Sequence, residues 1–445
     1  MKGYESFFKD KKITVMGLGL LGRGVGDAEF LSECGALLTV TDKKSEADLV
    51  ESVRRLKTYS NITFHLGEHR TEDFTNCDMV IKAAGVPLDS SEIAAARAAG
   101  VPVYMSTALF AKYASDAGAK IVGVTGTRGK STVSHMIFHS LQKVGKRVHL
   151  GGNIRGQSTL ALLPEVEKGD TCVLELDSWQ LQGFGDLRIS PNISIFSNLM
   201  PDHMNYYGGD MEKYFLDKAN IFRFQKQGDV LIIGSSIADR IRGTMPPLDP
   251  IIPDSIPRVW KLRIPGEHNR ENASLAKAAL EALELSDDEI QAGLESFEPV
   301  EGRLQFVREI NGMKIFNDNN STTPEATIAA LRALGENVTL IIGGSEKNLS
   351  LEELVSEIKK NASHVILLMH PNYKGSERLA EALKRAAVPY MERKSLEDAV
   401  RESVKLGKGE TILFSPAFAS FGMFKNEYDR NDQFMEIVRT MEAAA

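Results

Sequence analysis

The chain has 445 residues, 42% hydrophobic and 25% charged, the composition of an ordinary globular protein and enough length for about three domains. Its 53 Lys and Arg against 60 Asp and Glu leave a net charge of −7, and no basic run offers a track for a phosphate backbone, so a nucleic-acid polymer is not expected as the main partner. Cys34, Cys77 and Cys172 never fall in a CxxC spacing and read as reduced core thiols rather than a disulfide or zinc framework. Met1 to Lys12 has no apolar leader core, and no segment has the roughly 18 apolar residues of a spanning helix, so no membrane insertion and a cytoplasmic location are expected.

In chain order, an apolar strand at Ile13 to Met16 leads through a glycine turn to a helix near Val25 to Cys34, then to a strand from Leu37 to Thr41. Strands at Met79 to Ile81 and Val101 to Tyr104 flank a helix at Ser90 to Ala99. A second α/β unit opens with a strand at Lys120 to Val124 and a helix at Ser131 to Val144. Strands at Thr171 to Leu176, Ile193 to Ser197 and Asp229 to Gly234 follow, then a Pro-rich connection at Pro246 to Pro257 and an Ala-rich helix at Asn272 to Leu283. The third region starts with a hairpin, Leu304 to Ile310 and Met313 to Asn317 around Asn311-Gly312. Strands at Val338 to Ile342, His364 to Met369 and Thr411 to Phe414 then alternate with helices near Leu351 to Lys359, Ser376 to Ala386 and Leu396 to Val404. The expected architecture is three α/β domains, 1–106, 107–298 and 299–445.

Gly17, Gly19 and Gly22 spell GxGxxG after the first strand, and Asp42 ends the second. This is the fingerprint of a dinucleotide turn, and nicotinamide or flavin, another nucleotide, or no ligand all remain open from it alone. A stronger signal is TGTRGKST, from Thr125 to Thr132, between a strand and a helix. Amides at a helix start cradle phosphates, Lys130 neutralises them and the Ser131 hydroxyl reaches magnesium. The strict pattern needs glycine at Val124, so this is a variant phosphate loop, with Gly126, Thr127, Gly129 and Thr132 as its other members. Glu175, His203 and Lys218 are individually read as structural.

Taken in order, these pieces resemble the Mur ligase family over essentially the whole chain: GLGLLG, TGTRGKST, Gly151-Gly152-Asn153, LELDSWQL around Glu175, PDHM around His203, and Lys218. Further on come Gly266-Glu267-His268-Asn269 with Asn272, Gly302-Arg303, Asn317-Asp318, Gly343-Gly344 with Lys347, and SPAFASF with Phe424-Lys425-Asn426. The short Rossmann-like first domain is similar to that of the glutamate-adding members. The resemblance implies a Rossmann-like N-terminal domain, a central P-loop ATPase-type domain and a C-terminal Rossmann-like domain. It implies ligation of D-glutamate to UDP-N-acetylmuramoyl-L-alanine through an acyl phosphate, in peptidoglycan synthesis and hence in cell shape and division. It also implies that Leu20, Leu21, Asp42, Lys43, Gly85 and Asn153 bind the UDP substrate, and that Asn269, Asn272, Arg303 and Asp318 join the phosphate loop on ATP. Ser131, Glu175, His203 and a carbamylated Lys218 would hold two magnesium ions, with Lys130 neutralising the transferring phosphate. Thr322, Lys347 and Ser420 would bind the amino acid, and a monomer is expected.

Two positions depart from the pattern. Asn320 stands where the motif NDSKATN carries lysine, and Glu427 stands where phenylalanine follows Phe424-Lys425-Asn426. Losing a cation and gaining an anion weakens the hold on a dicarboxylate, so L-glutamate is kept as the alternative substrate. An NAD-dependent dehydrogenase leaves TGTRGKST without a task, and a silent nucleotide-binding protein leaves Glu175, His203 and Lys218 without one.

Overall fold

All-parallel sheets are covered by crossover helices on both faces, so their strands are short, nearly continuous apolar runs. The computed structural model describes residues 3–18, 22–244, 249–406 and 411–441. In the first sheet β1 (Lys12–Met16), β2 (Leu37–Asp42), β3 (Ile62–Leu66), β4 (Met79–Lys82) and β5 (Val103–Tyr104) are parallel, in the order β3-β2-β1-β4-β5. The order reverses between β1 and β4, and ligands of such sheets bind at the carboxyl ends beside that reversal. Sequence reading did not find β3. It is an edge strand of which no residue is fully buried, and His65 interrupts its apolar run.

The second sheet is also parallel: β6 (Lys120–Thr125), β7 (Val148–Gly152), β8 (Thr171–Glu175), β9 (Ile193–Phe196) and β10 (Val230–Ile233), ordered β10-β9-β6-β8-β7. Glu175 stands opposite both Val124 and Gly152, and Thr125 stands opposite Phe196. This register lines up the carboxyl ends from which the candidate site is built. The first two sheets share one apolar core, to which Phe30, Phe110, Phe184 and Phe196 all belong. Fully burying such a side chain contributes about 1.5–3 kcal/mol.

In the third sheet β11 (Gln305–Ile310) and β12 (Met313–Asn317) are antiparallel. Asn311 and Gly312 both have positive φ, 51° and 79°, as a tight two-residue hairpin turn demands. With β13 (Val338–Ile342), β14 (Ala362–Leu368), β15 (Met391–Arg393) and β16 (Thr411–Phe414) the order is β11-β12-β16-β13-β14-β15, parallel beyond the hairpin. Alternate residues feed separate cores, Leu340, Leu367 and Leu413 on one face and Ile341, Ile366 and Ile412 on the other.

By compactness the chain falls into two units, Met1–Ser255 with Asn272–Leu294, and Ile256–Glu271 with Glu295–Ala445. The Ala-rich helix is longer than its apolar pattern, Glu267–Ala282. Among the described residues no helix is long and apolar enough to cross a membrane.

Candidate functional site

The phosphate loop follows β6 and ends in the helix Lys130–Lys143. Gly126 and Gly129 have φ of 143° and 85°, and a Cβ on them would collide with Ser197 Oγ and Asn272 Oδ1 respectively. Glycine is required there both for backbone conformation and for space. Thr127 Oγ1 donates to the Met200 carbonyl at 3.1 Å and accepts from the Met200 amide at 2.9 Å, tying the loop to the segment after β9. Lys130 Nζ folds back onto the carbonyls of Gly126 and Thr127, at 3.1 and 3.2 Å. Ser131 and the buried Thr132 lie in the first helical turn.

Lys218 lies in the helix Met211–Ala219 and is 1% exposed. Its Nζ is 2.9 Å from the Gly126 carbonyl and 4.9 Å from the Tyr214 ring centre. Among the described residues no carboxylate stands within ion-pair distance of it. Burial, and next the Lys130 charge, push its pKa well below the usual lysine value. Glu175 ends β8 at 4% exposure. Its carboxylate meets the Asn153 Nδ2 at 3.4 Å, and no cation among the described residues pairs with it. The Asn153 amide nitrogen bonds the Glu175 carbonyl at 2.7 Å, which fixes the end of β7 against the end of β8. His203 has a left-handed backbone, φ 55°, and its ring centre is 4.7 Å from that of Trp179.

These residues fit a divalent cation by their donor chemistry. A buried carboxylate without a cation and a hydroxyl at a helix start are hard oxygen donors, and His203 adds a nitrogen. Lys218 fits only as a carbamate, since an ammonium group repels a cation. Among the described residues no three His, Cys, Asp or Glu side chains cluster as a metal site.

A cavity of about 380 Å³ opens at the carboxyl ends of β1 and β4, lined by Gly17, Leu18, Asp42, Lys43 and Gly85 among others. Leu20 and Leu21 lie outside the described residues, as does Gly19. The Asp42 carboxylate accepts from the amides of Leu18 at 3.0 Å and Lys44 at 2.9 Å, so it shapes the turn as well as facing the cavity. Lys43 is largely exposed and pairs with Glu92 at 3.5 Å. Three basic residues that sequence reading missed also line the cavity: Arg23, Lys44 and Lys82. Lys82 is 2% exposed and donates to the carbonyls of Ala83, Ala84 and Val86, the last at 2.9 Å, holding the turn that carries Gly85. Its burial pulls its pKa down to about 8. A lysine ending the apolar run Met79–Lys82 was the available signal.

In the second unit Asn269 is buried and donates to the Pro265 carbonyl at 2.7 Å. The Asp318 carboxylate accepts from the Leu304 amide at 3.0 Å, Ser415 Oγ at 2.8 Å and Ser321 Oγ, and so ties the turn at Gly302-Arg303 to the loops after β12 and β16. Burial raises its pKa to about 6. Lys347 Nζ donates to Thr322 Oγ1 at 3.2 Å, and the Ser420 carbonyl accepts from the Tyr373 hydroxyl at 3.2 Å. Asn320 Nδ2 donates to the Glu301 carbonyl at 3.2 Å. Glu427 opens the helix Glu427–Thr440, and its carbonyl accepts from Asn319 Nδ2 at 2.8 Å. Also unforeseen was Arg430, fully buried, which donates to Asn319 Oδ1, the Asn319 carbonyl and the Phe418 carbonyl at 2.8, 2.9 and 3.2 Å.

Comparison with known proteins supplies three matches in chain order. Residues 11–105 match the Mur ligase MurD-like N-terminal domain, 124–245 the Mur ligase middle domain and 302–418 the Mur ligase glutamate ligase domain. The chain is 32% identical to the UDP-N-acetylmuramoylalanine–D-glutamate ligase of Roseiflexus sp. (strain RS-1), covering 97% of this chain and 98% of that one. Identity to the protein of the same name from Clostridium tetani is 31%, over 98% of each. Among solved structures, the UDP-N-acetylmuramate–alanine ligase of Thermotoga maritima has the same fold, with TM-score 0.63, 18% identity and coverage of 97% of this chain and all (100%) of that one. The MurF ligase of Thermotoga maritima in complex with ADP gives 0.57 at 17% identity, covering 90% of this chain and 93% of that one.

Proposed function

The chain belongs to the Mur ligase family of ATP-dependent, ADP-forming amide ligases, and on that premise we propose that it joins D-glutamate to UDP-N-acetylmuramoyl-L-alanine to make a peptidoglycan precursor. The observation that carries this reading is the end-to-end similarity to relatives that bear the name of that reaction. The cavity at β1 and β4 supports it, because the basic residues Arg23, Lys43, Lys44 and Lys82 in its lining outnumber the carboxylates Asp27 and Asp42, which favours an anionic ligand such as a nucleoside diphosphate. The reaction runs in the cytoplasm on small-molecule substrates, and a single copy of the chain carries it out.

In this mechanism the glycine-lined loop and the amides at the start of the helix Lys130–Lys143 hold the ATP phosphates. Lys130 swings off the Gly126 and Thr127 carbonyls to meet the β and γ phosphates. The carboxylate of the muramoyl-alanine attacks the γ phosphorus, ADP leaves and an acyl phosphate forms. The neutral amine of glutamate then adds to the acyl carbon, and phosphate leaves as the amide forms. Asn153 faces the reacting end of the nucleotide substrate. Lys218, whose pKa burial pushes well below the usual lysine value, would as the neutral amine take up carbon dioxide and release a proton, becoming a carbamate anion that joins Glu175, His203 and Ser131 as a ligand. Ser131, Glu175, His203 and carbamylated Lys218 would hold divalent cations, which would neutralise charge on the transferring phosphoryl group. Arg303, Asp318, Asn269 and Asn272 contribute to the ATP site, and Thr322, Lys347 and Ser420 to the amino-acid site.

The test is phosphate release from MgATP with UDP-N-acetylmuramoyl-L-alanine, comparing D-glutamate, L-glutamate and no amino acid, with the product weighed by mass spectrometry. Release that requires D-glutamate is expected. Release only with L-glutamate would assign selectivity to Asn320 and Glu427, and release with neither would reject the reading.

A further inference from the structure

Arg23 opens the helix that follows the glycine turn of the first sheet, and it lines the 380 Å³ cavity. Its Nη1 donates to Asn153 Oδ1 at 2.8 Å. Asn153 in turn points its Nδ2 at Glu175 Oε1, 3.4 Å away. An amide side chain has one accepting and one donating end. With the oxygen taken by the guanidinium, the NH2 group must face Glu175.

The helix that carries Arg23 is itself held in place. Four residues on, and so on the same helical face, Asp27 Oδ1 accepts from Ser158 Oγ at 2.5 Å. Between them, Gly26 lies so close that an added Cβ would come within 2.8 Å of Ser158 Cβ. The segment from Asn153 to Ser158 is thus fastened to the helix at two points. A guanidinium has five N–H donors, and Asn153 uses one, so the planar cation retains donors for an anion in the cavity it lines.

We propose that Arg23 binds the diphosphate of the nucleotide substrate and, through Asn153, sets the orientation of the amide that faces Glu175. Arg23 is a binding residue for the nucleotide and a positioning residue for Asn153. Filling the cavity and orienting the reacting end are then a single event. The inference rests on the nucleotide reading of the cavity, and it is independent of which amino acid is added.

The experiment uses the full chain with UDP as the probe, titrated by calorimetry without ATP, and compares Arg23→Met and Arg23→Lys. Arg23→Met should weaken UDP binding about tenfold or more while leaving the KM for ATP unchanged, as expected for loss of a charge-assisted contact. Arg23→Lys should restore most of that affinity, since it returns the charge. Unchanged UDP affinity in Arg23→Met, or an equal loss in Arg23→Lys, would overturn the phosphate role. For the positioning role, kcat for phosphate release is measured in Arg23→Met, Asn153→Ala and the double variant. The double variant should lose no more than the worse single one, and losses that multiply would overturn the coupling. If the wild-type chain binds UDP but ligates neither enantiomer of glutamate, the proposed function fails while the Arg23 assignment stands. If it does not bind UDP, the cavity reading and this inference fail together.

Discussion

Lys218 Nζ lies 2.9 Å from the carbonyl oxygen of Gly126, so a fully buried lysine closes onto the phosphate loop 92 residues earlier in the chain. Among the described residues no carboxylate stands within ion-pair distance of it, and burial, then the Lys130 charge, push its pKa well below the usual lysine value, because a buried ammonium gives up its hydration. Lys218→Ala should lower ATP-dependent phosphate release by at least about a hundredfold, in the range expected for removal of a group that organises transition-state charge. Acetate or propionate at high concentration should restore part of it by standing in for the carbamate. A variant as active as wild type, or one that no short carboxylate rescues, would argue against carbamylation.

Gly129→Ala should be costly through two independent effects. Alanine at φ 85° is strained by about 1–2 kcal/mol, and its Cβ meets Asn272 Oδ1. The expected outcome is a lower melting temperature and a raised KM for ATP. Adding Asn272→Ala should recover some of the melting temperature by removing the collision, while leaving the backbone strain. No recovery would show that the steric contact is not a cause.

Asp318 gives a pH dependence with a definite sign. Burial raises its folded pKa to about 6, above its value of 3.8 in the absence of burial. Between those values the native state binds more protons than the unfolded chain, so this group's contribution to stability is largest at low pH and is lost as pH rises through about 6. Relative to Asp318→Asn, the wild-type protein should therefore gain about 1 kcal/mol between pH 7 and pH 5. Urea unfolding of both proteins at the two pH values checks this, and a constant difference between them would contradict it.

Arg430 is a buried cation whose partners are carbonyl oxygens rather than carboxylates. It joins the loop after β12 to the loop after β16, the two that carry Thr322 and Ser420. Arg430→Met leaves three acceptors unsatisfied and should cost roughly 2–4 kcal/mol. It should also raise the KM for glutamate more than that for ATP. Arg430→Lys should recover less than half of the stability, because one ammonium group does not span Asn319 and Phe418 as a planar fork does. Full recovery by lysine would show that charge alone is required.

Much of the fold was legible because its signals are local. Apolar runs of four to six residues, glycine turns and the Asn311-Gly312 dipeptide are read over short windows, and they gave the central strands of all three sheets and the hairpin. Three strands escaped, β3 (ITFHL), β7 (VHLGG) and β15 (MER); each lies at a sheet edge and carries no continuous apolar run. The site shows the same division. The phosphate loop was visible because its glycines, Lys130 and Ser131 lie within a few residues of one another.

Local patterns along the chain carry the α/β class and the glycine turns, and the order of those turns carries the family. Which distant groups meet depends on the fold: Lys218 with Gly126, Arg23 with Asn153 and Arg430 with Asn319. Each of these residues reads in isolation as an ordinary surface cation. Burial and partner are properties of strand order and register, which bring together segments about 90 to 130 residues apart. No local pattern of charge or hydrophobicity encodes that separation.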